Sequence, residues 1–422
     1  MSLPTAAAPA TRQVAPLYAA GFVTAFGAHS IAAGIGATGG DIGLDLLRLG
    51  ALLAIYDLAE VFLKPVFGSL SDRIGAKPVI VFGLLGFGVA SLVGVWSSST
   101  AALAIARLGQ GAAASAFSPA SSATVARLAA PGAKGRYFGR YGSWKGLGYT
   151  LGPLLGAALI FLGGFPLLFT CLSALAVLTA IWVAISLPRL EPLPRPRYTV
   201  ADLVRQTTER GFLIPTLVLA ASTGALGAAI GFLPALASSE GAPLFASIAI
   251  ASVLALSSAL TQPWAGRLRD SGRLSDRTAM TLGLAVITAG ILVAAFVPVL
   301  PCLYVAAALL GIGIGVSTPF AFAHLAETTP LERMGRTMGT AELGRELGDA
   351  GGRCWSEPSR WRRRFPGVSR HSRSWSPLRE RPPGSCRDHR EESGRRATPD
   401  ALSSPTQAAR WNRISVPNEY LV

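Results

Sequence analysis

Apolar residues in this chain come in long runs rather than in alternation. Runs of about 20 residues, separated by short clusters of Gly, Pro and charge, stand at 15–37, 49–68, 78–97, 101–126, 141–163, 165–187, 213–237, 244–264, 278–299 and 302–326. A helix needs roughly 20 mostly apolar residues to cross the hydrocarbon core of a bilayer. There the backbone must satisfy its own N–H and C=O groups, so such runs predict helices. The period-2 pattern of a barrel strand is absent. Ten spans are predicted, and an eleventh opens near 337 (TMGTAELGRELGDAGG) and is cut short. No cleavable leader is expected ahead of the first span, because Met1 to Ala15 is only a short polar and Ala-rich stretch.

Composition agrees with a life in lipid. Only 14% of the 422 residues are charged, the AVILMFWYC set makes up 50%, and mean hydropathy is +0.44. An ordinary soluble domain is about 25% charged. The 47 glycines suit helices that pack closely in a membrane. Cys171, Cys302, Cys354 and Cys386 are scattered, as are the four histidines, so neither a disulfide framework nor a metal site is indicated. No nucleotide-binding loop or nucleophile motif is visible. An enzyme, an ATP-driven pump and a resident cofactor are therefore not expected.

The net charge of +15 divides into two parts. Residues 353–422 hold fifteen Arg, no Lys and seven acids, a net +8, and the body holds the remaining +7. With the N-terminus in the cytoplasm, the inner loops of the body carry eighteen basic residues, from Arg12 to Arg336, against Arg48 alone outside. This asymmetry predicts a multi-pass protein of the plasma membrane with a cytoplasmic N-terminus. The Pro- and Arg-rich connection LPRLEPLPRPRY follows six spans. It reads as a cytoplasmic linker, 188–212, between an N-terminal six-helix bundle, 1–187, and an incomplete C-terminal bundle, 213–352.

The two bundles should repeat each other, and the sequence contains the repeat. Gly68-Ser-Leu70-Ser-Asp72-Arg73-Ile-Gly75-Ala-Lys77 follows the second span, and Gly266-Arg-Leu268-Arg-Asp270 follows the eighth, 198 residues on. Gly109-Gln-Gly111 in span four is echoed by Gly311-Ile-Gly313 in span ten. Each leads through a Pro (Pro119, Pro319) to a loop containing Gly-Arg (Gly135-Arg136, Gly335-Arg336). Parallel repeats of this kind are a transporter architecture, with the substrate bound near the midplane between them.

These motifs resemble the Major Facilitator Superfamily. The first loop resembles its signature between helices two and three, with Ala76 where a basic residue is usual. Arg107-Leu-Gly-Gln110-Gly111 resembles its helix-four motif. Gly148-Tyr-Thr-Leu-Gly152-Pro153-Leu-Leu-Gly156 is similar to the motif of its proton-coupled antiporters. The resemblance covers about 1–352 and implies an all-α fold of two bundles. It also implies a gate in which Asp72 faces the start of helix eleven and holds an outward-facing state. Read from the residues alone, the same loop is an anchor: Asp72 suits a helix N-terminus, and Arg73 and Lys77 suit the inner leaflet. Gly148, Gly152 and Gly156, spaced i, i+4, i+8, read as a packing groove, a hinge or both, with Pro153 kinking the helix.

Charge inside the spans is the sharpest chemical clue. Asp57, Glu60 and Lys64 share one face of span two. A charge at mid-bilayer costs at least ~2.5–3.5 kcal/mol, so such groups turn inward and pair. Glu60 and Lys64 are expected to pair, leaving Asp57 to titrate or to meet Arg107 of span four. His29 and His324 are weaker candidates, and Trp144 and Tyr149 could line a cavity.

The segment 353–422 does not read as membrane protein. Leu, Ile, Val and Phe make up eight of its seventy residues, and four of the eight Trp lie in it. A disordered Arg-rich tail is expected, with a genuine lipid- or nucleic-acid-binding tail as the competing reading. Back-translated with GC-rich codons and shifted by one base, Arg353 to Arg364 becomes Pro-Val-Leu-Val-Gly-Ala-Val-Ala-Val-Ala-Ala-Ser, a membrane span. A frame lost near codon 352 is therefore expected. The whole predicts a monomeric secondary transporter whose partners are a small solute, protons and membrane lipid, with no nucleic acid. Proton-coupled efflux is the expected direction. Proton-coupled uptake and a non-functional truncated remnant are the alternatives.

Overall fold

The computed structural model describes residues 11–38, 46–96, 100–190 and 208–355. Every regular element among them is helical: α1 (Thr11–Thr38), α2 (Leu46–Ile74), α3 (Ala76–Val95), α4 (Thr100–Leu128), a long run Lys134–Ser186, α7 (Arg210–Ser239), α8 (Leu244–Asp270), α9 (Asp276–Phe296), α10 (Leu300–Thr328), a short 3-10 turn Leu331–Arg333, and α11 (Met334–Trp355). The long run breaks at Gly163 and Gly164, the latter at φ 69°, so it is two helices, α5 (134–162) and α6 (165–186). All ten predicted spans are present as helices, and the eleventh continues to Trp355. Most of the predicted linker and nearly all of the expected tail lie outside the described residues.

Seven of the helices, counting Lys134–Ser186 once, are long and apolar enough to cross a membrane on composition alone. Their apolar side chains face outward where no protein covers them: Phe82, Phe161, Ile185, Phe245 and Phe296 are among the most exposed large residues. On a chain of this composition such a belt faces lipid. α2 and α4, predicted as spans, fall short of that apolarity, and burial explains why. On α2, Leu58, Phe62 and Val66 form one exposed stripe, while Tyr56, Glu60, Lys64 and Gly68 form the opposite, buried one. Residues 114–126 of α4 are buried all round. A helix surrounded by protein needs no apolar coat, so Ser115, Ser118, Ser121, Ser122 and Thr124 are accommodated there, several bonding back to carbonyls one turn earlier.

The sequence repeat is also a packing repeat. Gly111 of α4 closes onto the Tyr56 backbone of α2, and Gly311 of α10 closes onto the Leu254 backbone of α8. α3 packs on α4 through Gly83 and the edge-on pair Phe87–Phe117, and α9 packs on α10 through Gly283 and Gly313. α1 lies on α5 where Gly148, Gly152 and Gly156 face Phe22 to Ser30, and α7 lies on α11 where Gly348 faces Ala220. In each case a missing side chain lets two backbones approach, as expected where helix association depends on van der Waals packing. The described residues stop at position 355, and in them α11 has no following helix.

Candidate functional site

Two crossings join the first six helices to the last five, and both are built alike. α2 crosses α11 where Gly68 meets Gly335, and α8 crosses α5 where Gly266 meets Gly135. A Cβ at any of these glycines would strike the opposite backbone. Beside the first crossing, the Asp72 carboxylate accepts the N–H groups of Gly335 (2.8 Å) and Arg336 (2.9 Å), the first turn of α11. Beside the second, Asp270 accepts the N–H groups of Gly135 (2.8 Å) and Arg136 (2.9 Å), the first turn of α5, and the Arg136 guanidinium at 3.0 Å. Helix N-termini have unsatisfied donors and a positive dipole end, so each carboxylate caps a helix of the opposite group. The second cap follows from the repeated Gly-Arg pairs, although the sequence reading assigned no partner to Asp270.

The remaining motif residues serve the same end of the bundle. Gly75, at φ 92°, makes the sharp turn from α2 into α3, a backbone conformation L-residues rarely adopt. Lys77 donates to the Leu187 carbonyl at 2.6 Å, tying α3 to the end of α6, and Arg73 is exposed. Nearby, Arg269 grips Asp276 (2.7 and 2.9 Å) and Glu327 (3.0 and 2.8 Å), holding α8, α9 and α10 together. His324 belongs to this cluster through Asp276 at 2.9 Å, and His29 bonds the Ala25 carbonyl of its own helix.

One helical turn and more from the caps lies a buried cluster of charge. Lys64, fully buried, places its Nζ 3.1 Å from Glu60, 2.6 Å from Glu346 and 3.7 Å from Glu342. It therefore bridges α2 to α11. Glu342 also accepts the hydroxyls of Ser118 (2.7 Å) and Ser122 of α4. Tyr56 donates to Glu60 at 3.3 Å, and the Arg107 guanidinium lies 4.2 Å over the Tyr56 ring. The expected Glu60–Lys64 pair is thus present inside a larger network, and Arg107 meets that network through an aromatic face. Asp57 is half-buried on the same face of α2.

Sequence reasoning missed Lys145, Glu342, Arg345 and Glu346. All were visible by the argument applied to span two: Lys145 sits inside span five, and Glu342, Arg345 and Glu346 fall at i, i+3, i+4 of the predicted eleventh span. Arg345 lies 5.7 Å over the Phe322 ring, and its backbone carbonyl accepts the Thr223 hydroxyl of α7. Lys145 and Arg345 open onto a cavity of about 40 Å³ between α5, α7, α8, α10 and α11. Tyr149 lines it, whereas Trp144 is partly exposed and meets Phe22 edge-on.

The sequence profile described as the Major Facilitator Superfamily matches residues 17–352. The chain belongs to the Major Facilitator Superfamily. This is a transporter family rather than an enzyme family, and the match ends where the composition changes. A "Multidrug resistance protein MdtH" of Aeromonas salmonicida is 27% identical over 305 residues, 71% of this chain and 75% of that protein. A "Triacylglyceride transporter" of Mycolicibacterium smegmatis is 30% identical over 211 residues, 46% of this chain and 38% of that one. The "Tetracycline resistance protein, class H" of Pasteurella multocida is 34% identical over 110 residues, 26% and 27%. The chain thus spans well under half the length of the latter two relatives. The crystal structure of the human organic anion transporter MFSD10 (TETRAN) superposes with TM-score 0.68 at 19% identity, over 81% of this chain and 92% of that one. That likeness shows the shared all-α fold, and membership of the family makes this a multi-pass membrane protein.

Proposed function

We propose that the protein moves a small solute across the plasma membrane by alternating access, exporting it in exchange for protons. The bundles 1–187 and 213–352 are the rocking units, joined by the cytoplasmic linker 188–212. The observation that carries this reading is the reciprocal pair of caps, Asp72 on α11 and Asp270 on α5. Each is a polar contact between units that can open without breaking a helix. With the N-terminus in the cytoplasm, as loop charge implies, the caps close the cytoplasmic end, and Gly148, Gly152 and Pro153 with Gly156 let α5 pivot on α1. Asp57 and Glu60 carry the proton, with Lys64 and Arg107 answering their charge. The names of the resistance-protein relatives favour export over uptake.

Everted vesicles from cells expressing the full chain test this. A panel of labelled solutes is screened for uptake into the vesicles driven by an acid interior. At least one is expected to accumulate, and to be lost on collapse of the gradient. Accumulation in intact cells instead would favour uptake. A gene in which the reading frame after codon 352 is restored serves as the reference for a damaged tail.

A further inference from the structure

We propose that the cavity between the two units takes an amphipathic anion: a carboxylate or sulfonate held by Lys145 and Arg345, with its apolar body on the aromatic wall. This rests on the transport reading and names its substrate class.

Two buried polar atoms on the cavity wall lack a hydrogen-bond partner, and a buried ammonium stands beside them. Lys145 is 5% exposed, forms no hydrogen bond among the described residues, and has its charge answered at longer range by Glu342 and Glu346. The Nε of Arg345 and the Oε1 of Gln262 are buried without hydrogen-bond partners, in side chains 9% and 5% exposed. All three residues line the same cavity. Buried polar groups are normally satisfied, so two orphans on one wall point to a ligand or ordered water that satisfies them.

The sign of the ligand follows from what lines the space. Its two charged wall residues are both cationic. The nearby acids lie off the wall and are engaged: Glu60 and Glu346 by Lys64, and Glu342 by Lys64, Ser118 and Ser122, with Lys145 facing Glu342 and Glu346. A cation entering the cavity would meet Lys145 and Arg345 with no carboxylate on the wall. Phe138, Tyr149 and Phe322 complete the lining and suit a flat apolar body. At about 40 Å³ the cavity in this arrangement holds only a few waters. Its walls come from both units, so separating them widens it.

The test uses the full chain in proteoliposomes and two permanently charged probes with one aromatic body, radiolabelled 1-naphthalenesulfonate and N,N,N-trimethyl-1-naphthylammonium. Equilibrium binding and gradient-driven flux are measured separately. The sulfonate is expected to bind and move at least tenfold better than the ammonium. Lys145→Met should abolish that preference, and Lys145→Arg should retain it. Flux that ignores charge, or a Lys145→Arg variant that loses the preference, overturns the proposal and leaves transport standing. Charge-selective binding without flux upholds the site and overturns the transport reading. Neither binding nor flux overturns both.

Discussion

Lys64 shows what a single residue does in this protein. Its ammonium is enclosed on α2 and answered by carboxylates from α2 and α11. Removing one member of a buried ion cluster leaves an uncompensated charge, which typically costs about 3–5 kcal/mol. Lys64→Met is therefore expected to lower the unfolding temperature in detergent sharply, and the double change Lys64→Met with Glu346→Gln to recover much of the loss. A variant as stable as the parent would show that the cluster is not holding α11. Asp57 is half-buried on the same face and makes a different prediction. Asp57→Asn should abolish solute-driven proton movement in proteoliposomes. Unaltered coupling would remove Asp57 from the mechanism.

At the scale of elements, the two crossings decide how the units meet. A Cβ on Gly339 would stand 2.6 Å from the Lys64 carbonyl of α2. Gly339→Leu should therefore wedge α2 from α11 and make cysteines placed along that interface more reactive to a soluble maleimide. Gly148→Leu acts inside one unit: its Cβ would lie 2.8 Å from the Phe22 carbonyl of α1. Overpacking of this kind costs roughly 1–3 kcal/mol and should reduce stability without changing that reactivity. Gly148, with Gly152 and Gly156, was legible in the sequence because close packing leaves a spacing, i, i+4, i+8, that survives without coordinates, whereas Gly339 stands in no such triplet. The charges of α11 were harder to read. A helix between α2 and α7 has little lipid face, so its pattern lacks the apolar run by which spans are recognised, and Glu342, Arg345 and Glu346 pass for a loop or a failed span. Lys145 escaped for a related reason: one Lys near the end of an apolar run reads as an anchor at the membrane surface, whereas α5 carries it into the interior.

At the scale of the whole molecule, the repeat is the organising fact. Gly68 and Gly266, Gly111 and Gly311, Asp72 and Asp270 hold matching places in two sets of helices, and that correspondence was readable from residue order. The reciprocal capping was only half readable, because the Gly-Arg pairs that receive the carboxylates lie in the other set, far away in the chain. The family match ends at residue 352, and sequencing the gene tests the expected loss of frame there. An alternative frame encoding two apolar spans is the expected result, and its absence would make the Arg-rich segment a true tail.

The central claim is that Asp72 and Asp270 hold one of two arrangements of the units. Its most direct test is the distance across the capped end, measured by pulsed electron paramagnetic resonance. Spin labels are placed at Ile74→Cys and Leu331→Cys of the full chain in nanodiscs, with the native cysteines replaced. A hydrogen bond to a charged group contributes about 1.5–3 kcal/mol, and 1.4 kcal/mol is a factor of ten. The combined changes Asp72→Asn and Asp270→Asn should therefore raise the population at longer distance about tenfold or more. A single distance, identical with and without the two carboxylates, would contradict the account.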